Sequence, residues 1–250
     1  MTASPPKTPL LAPLFVEARK LNRSLAVVLA VAAPALIAIF AFFMVLRGRE
    51  AMPWEMWMMN AAGIWAFFML PMSVTALTAL VAHMEHGPKS WDHLRALPLP
   101  RWRIYAAKAV CVLALVALMS AAVLFMSWGA VTLAAAIKPQ LEPTGVFELA
   151  RHAGLFGKIF LAALLMIAIQ LWVALRYASF VPALAVGIGG TFFSVVATSA
   201  KQGVFFPWQM PVNMLATEAW RYQTALGLGL GLGAVVMAAA LVHLSRREVL

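Results

Sequence analysis

The chain is poor in what keeps a protein in water. Only 11% of its 250 residues are charged and only nine are acidic, against 64% hydrophobic, whereas soluble domains are about a quarter charged. That shortage leaves too little polar surface to cover a water-soluble globule, and it excludes an extended disordered chain. A single cysteine, Cys111, excludes an intramolecular disulfide framework. Charged pairs are missing from the apolar runs, so an intramembrane protease or proton-coupled carrier gains little support. A phosphate-binding loop is missing too, because the lone Gly157-Lys158 pair is followed by Ile159 and has His152 where the first glycine belongs. The residues offer no catalytic centre, and the chain reads as a non-enzyme.

What is present is long apolar sequence. A helix needs roughly 20 apolar residues to cross the hydrocarbon core, and six runs qualify, at about 25–46, 56–82, 109–137, 155–175, 178–200 and 224–244. The expectation is an all-α integral membrane protein, with a disordered tail over 1–9 and a single six-span domain over 10–250. The first run is too long for the core of a signal peptide and carries Pro34 centrally. Six spans put both termini on one side. Of the 19 Lys and Arg, 12 fall on the side of the termini and seven on the other, which places both termini in the cytoplasm. Ahead of the first span, Leu10, Leu11, Leu14, Phe15, Ala18 and Leu21 recur at helical spacing, with Glu17, Arg19, Lys20, Asn22 and Arg23 on the remaining face. That is the pattern of an amphipathic helix lying on membrane lipid, its basic residues toward phosphates.

Three constellations invite a chemical reading. His83, His86 and His93 surround Glu85, but Gly87-Pro88 interrupts the helix between them, so solvated loop histidines are favoured over a metal site. Met52, Met56, Met58, Met59, Met69 and Met72 cluster around the second span, where thioethers suit Cu(I) but also serve as adaptable apolar filler among tryptophans and phenylalanines. Gly227, Gly229, Gly231 and Gly233 form two overlapping GxxxG pairs, which favour close helix packing within one subunit over a dimer seam. No metal, cofactor or nucleic acid is called for.

The most informative segment lies between the second and third spans. Gly87-Pro88 starts a short helix over 89–97, and Pro98 and Pro100 end it. Trp91, Leu94 and Leu97 share its apolar face, while Lys89, Asp92, His93 and Ala96 point elsewhere. Pro100 begins a second helix carrying Arg101, Arg103 and Lys108 into the third span.

Glu85, the Trp91-Asp92-His93-Leu94 helix, and Ala96-Leu97-Pro98-Leu99-Pro100-Arg101 with Lys108 together resemble the loop of ABC-2 type exporter permeases, closest in look to bacteriocin (lantibiotic) immunity and drug-efflux permeases. Glu17 to Ser24 resembles that family's N-terminal elbow helix. The Phe205-Phe206-Pro207-Trp208-Gln209-Met210-Pro211 stretch is similar to its aromatic loop before the last span, and Arg246-Arg247-Glu248 closes the chain as in the family. The resemblance implies a permease subunit of an efflux system in a bacterial plasma membrane. ATP and Mg would sit on separate cytosolic ATPase subunits, and a second permease, identical or similar, would complete a dimer. By the same resemblance the short helix is a coupling helix, with Glu85, Lys89, Trp91, Leu94, Arg95 and Leu97 contacting the ATPase. An apolar lining favours hydrophobic or amphipathic cargo such as an antimicrobial peptide, drug or lipid. The residues alone also leave open a membrane scaffold recruiting a cytosolic partner, and an autonomous secondary carrier.

Overall fold

Ser24 separates the first two helices. Its hydroxyl donates to the Leu21 carbonyl at 2.8 Å and accepts from the Ala26 amide at 3.1 Å, closing α1 (Ala12–Asn22) and capping α2 (Leu25–Arg47) with one side chain. The computed structural model describes residues 12–22, 24–86, 100–198 and 200–246. Every regular element among them is helical: α3 (Trp54–His86), α4 (Arg101–Ile137), α5 (Leu149–Ala162), α6 (Leu164–Arg176), α7 (Val181–Ala197) and α8 (Ala219–Arg246) follow.

In α2, Ala33, Ile37, Ala41 and Val45 are buried at a spacing of four, a ridge that packs along the much longer α4. Small side chains allow this close approach where lipid supplies no hydrophobic drive between helices. Pro100 caps α4, which runs unbroken for 37 residues from Arg101, so the basic residues after the second loop do enter the third span as one helix. Helix α3 widens into a π turn at Trp65–Met69. There the fully buried Trp65 donates its indole N–H to Ser120 of α4 at 3.1 Å. The other end of α3 is stitched to the 138–148 connection, with Trp54 donating to the Thr144 carbonyl and Thr144 to the Met52 carbonyl, both at 3.2 Å.

Among the described residues four helices, α2, α3, α4 and α8, are long and apolar enough to cross a membrane. The fourth expected span is instead a pair, α5 and α6, bent by 43° at Ala163, and counting the pair as one span gives five. The fifth expected span is α7, an apolar helix of 17 residues, shorter than the four above. Its last turns are met by 201–215, which folds back as two short 3-10 turns joined by a buried stretch with Trp208, Gln209 and Met210. Gln209 donates from its amide to the Ser194 carbonyl and to the Thr198 hydroxyl. A Cβ at Gly190 would stand 2.5 Å from the Trp208 ring, so glycine there admits the indole.

The two glycine pairs of α8 part company. Gly229 and Gly233 face the α5–α6 bend, where a Cβ would overlap the Ala162 carbonyl at the first and stand 2.7 Å from the Leu165 amide nitrogen at the second. Gly227 and Gly231 have nothing within 4 Å of that position. The expected packing within one subunit therefore belongs to Gly229 and Gly233 alone. Gly229→Ala should lower thermal stability by about 1–3 kcal/mol through overpacking against backbone. Gly231→Ala should be neutral or slightly stabilising, since alanine is the better helix former. Melting curves of the two variants in detergent check the contrast.

Candidate functional site

Charges are scarce in this chain, yet four of them converge. Glu17 and Lys20, one turn apart on α1, share a face with the buried Leu21. Glu85 is the next-to-last residue of α3, and Lys108 lies two turns inside α4. The Lys108 ammonium is fully buried and donates to Glu17 Oε2 at 2.7 Å and to Glu85 Oε1 at 2.8 Å. The Lys20 ammonium donates to the same Glu85 oxygen at 2.7 Å and to Glu17 Oε1 at 3.1 Å. Both carboxylates are buried, and among the described residues the cluster sets two acids against two bases.

That pairing is what makes the burial tolerable. A lone dehydrated charge costs several kcal/mol, and paired charges recover that only when their hydrogen bonds are also met. For Lys20, burial pulls the ammonium pKa down, but Glu85 and Glu17 outweigh it and hold it above the ordinary lysine value. The cluster also has a topological meaning. Glu85 and Lys108 stand at the two roots of the 87–99 segment, and Glu17 and Lys20 bind both roots to α1.

Of the residues expected to contact a partner, Lys89, Trp91, Leu94, Arg95 and Leu97 lie outside the described residues. Glu85 is described: at 1% exposure it lies inside the cluster, at the root of the 87–99 segment. Glu17 and Lys20, assigned by pattern to the lipid-facing polar side of α1, are drawn into the protein. Phe15 at 70% and Val16 at 54% are the large apolar side chains α1 leaves exposed, beside Ala18, Arg19 and Asn22. His83 and His86 occupy the last turn of α3, and His93 lies outside the described residues. The methionines do not converge, since Met58 is fully buried while Met56 and Met59 are exposed.

One signal pointed to the missed members. Glu17 is an acid in a basic N-terminal stretch, and Lys108 borders a long apolar run; charges at such depth call for partners.

Lys108→Met should be severely destabilising, by about 3–5 kcal/mol, because it leaves two buried carboxylates facing each other. Lys20→Met removes a cation that is partly solvated and should cost clearly less. Thermal unfolding of the purified variants checks the order. The raised Lys20 pKa also sets a pH window. A raised folded-state value stabilises fully below the unfolded lysine pKa and is lost as pH rises through the folded one. Stability of the wild type should therefore fall at strongly alkaline pH, with part of that fall absent in Lys20→Met, as read from melting curves across the lysine titration.

Residues 14–197 match the family model described as an ABC-2 family transporter protein, a span running from α1 to the last residue of α7 and containing all four cluster residues. No curated protein and no solved structure matches the chain. With well over half its length matched, the chain belongs to the ABC-2 family of transporter proteins.

Proposed function

We propose that the chain is the permease subunit of an ATP-driven exporter in a bacterial plasma membrane, with both termini in the cytoplasm. The family match over residues 14–197 carries this reading. Six crossings are completed by α2, α3, α4, the bent α5–α6 pair, α7 and α8, with α1 as the elbow helix. The segment 89–97 is the coupling helix, presenting Lys89, Trp91, Leu94, Arg95 and Leu97 to a cytosolic ATPase that holds the ATP and Mg. A second permease, the same or similar, completes the pore. Hydrophobic or amphipathic cargo, such as an antimicrobial peptide, drug or lipid, suits a chain with so few charges along its spans.

The buried cluster supports the mechanical part of this reading. A push on segment 89–97 arrives at Glu85 and Lys108 together, because they are bonded to each other and are held to α1 by Lys20 and Glu17 respectively. α1 and the near ends of α3 and α4 then move as one piece. Closure of the ATPases would tilt this unit and open the path to the far side, which is alternating access driven from one end of the bundle.

Purification of the tagged chain in mild detergent, with and without Trp91→Ala plus Leu94→Ala, tests the reading. The wild type should carry an ATPase and ATP turnover with it. The double variant should lose both while keeping its melting temperature. A wild type that brings down no ATPase overturns the exporter reading in favour of a secondary carrier, or of a scaffold if a different cytosolic protein is lost with the same two side chains.

A further inference from the structure

Far from the ion cluster, the other ends of α2 and α3 enclose a concave apolar trough. One cavity of about 250 Å³ is walled by Ile37, Phe40 and Met44 of α2 and by Trp57, Asn60 and Ile64 of α3. A second, of about 410 Å³, shares Phe40 and Met44 with it and continues over α2 as far as Arg47. Ten residues of helix separate Ile37 from Arg47, about 15 Å at 1.5 Å per residue. That is half of the roughly 30 Å hydrocarbon thickness, the depth of one leaflet.

The polar groups of the trough are ordered along that depth. At the rim stands Arg47, exposed and with no ion-pair partner among the described residues. Beside it, the Lys138 ammonium rests on the Leu46 carbonyl at 2.7 Å. Arg49 and Glu50 follow in the connection to α3. Glu55, the other nearby acid, is occupied by Arg151 at 2.5 Å. About one to two turns below the start of α3 come two donors. The indole N–H of Trp57 is buried, on a residue only 7% exposed, and finds no acceptor. The Asn60 carboxamide is exposed and makes no hydrogen bond among the described residues. Unmet polar groups at that depth are costly in hydrocarbon and mark a place where something else supplies acceptors. Deeper still, Phe40, Ile37 and Ile64 are wholly apolar.

Cation, amide donors, hydrocarbon: the sequence down the trough matches phosphate, ester carbonyl and acyl chain down a phospholipid. We propose that this trough is a binding site for one molecule of anionic phospholipid. Its phosphate is held by Arg47 and Lys138, its ester carbonyl accepts from the exposed Asn60 carboxamide, and its chain lies against the Trp57 ring, Phe40 and Ile64. The site is separate from segment 89–97 and does not depend on how transport is powered. The lipid would wedge α2 against α3 at the end of the bundle opposite the ion cluster.

The test is photo-crosslinking of the purified full-length chain in mild detergent with phosphatidylglycerol carrying a diazirine in its acyl chain, followed by peptide mapping. Adducts are expected on residues 37–47 and 54–64. Unlabelled phosphatidylglycerol should compete about tenfold better than phosphatidylcholine, as one charge-assisted contact allows, and inorganic phosphate should not compete. Arg47→Gln and Asn60→Leu, both at exposed positions, should each cut labelling about fivefold with unchanged melting temperature. The proposal is overturned if adducts spread over lipid-facing side chains such as Phe125, Phe192 and Val196, if phosphatidylcholine competes equally, or if both variants label like the wild type. None of these outcomes touches the ATPase co-purification, so the two readings fail separately.

Discussion

Everything at one end of this bundle follows from the need to bury four charges together or not at all. The Lys108 side chain is shut off from water, so two carboxylates must come to it. One arrives from α3 and one from α1, and the second brings Lys20 with it. The position of α1 is thereby fixed by charge together with Leu14 and Leu21, which pack on the core, while Phe15 and Val16 are left to the surroundings. Ser24 then hands that position on to α2, and the alanine ridge of α2 hands it on to α4, which carries Lys108. The chain of contacts closes on itself: α1 to α2 to α4 and back to α1 through an ion pair.

The rest of the molecule is held by contacts suited to a solvent without hydrophobic drive. Backbones approach where glycine or alanine permits, as α8 does at the α5–α6 bend and Trp208 does at Gly190. Several polar side chains that enter the bundle are answered by a neighbouring element. Gln170 donates to the Ala183 carbonyl and joins α6 to α7, Trp65 to Ser120 joins α3 to α4, and Gln209 pins the 201–215 connection to α7. Such bonds fix which helix faces meet, which apolar surfaces of equal greasiness do not specify.

Composition and run length made the membrane character and the long helices α2, α3, α4 and α8 legible, because both depend on local sequence. The bend at Ala163 was not, since neither proline nor glycine stands there to announce it and the run reads as one span. The shortness of α7 was hidden for a similar reason: the apolar sequence continues to about residue 200, but the chain turns earlier because Gln209 and Trp208 return to occupy that space. The ion cluster was partly visible as isolated charges. Their meeting was not, for Glu17 and Lys108 are 91 positions apart and periodicity interrogates one helix at a time. The GxxxG pattern marked two glycine faces on α8, and only tertiary packing decided between them.

The π turn at Trp65–Met69 sits where α3 changes neighbours. Trp54–Ile64 packs on α2 and α4; Leu70–His86 keeps those contacts and adds α6 and α7. A π turn spends one residue more than an α turn, and each residue of helix is worth ~100° of rotation. Loss of one residue within that short stretch would tighten the π turn to an α turn and leave the lower half of α3 in register, whereas loss of one residue after Met69 would swing Glu85 by about that angle away from Lys108. Insertions and deletions are ordinarily harmless in connections and costly in helices, but this one turn has a residue to spare. The segment works as slack in the helix, and the sixteen residues between it and the charge balance have none.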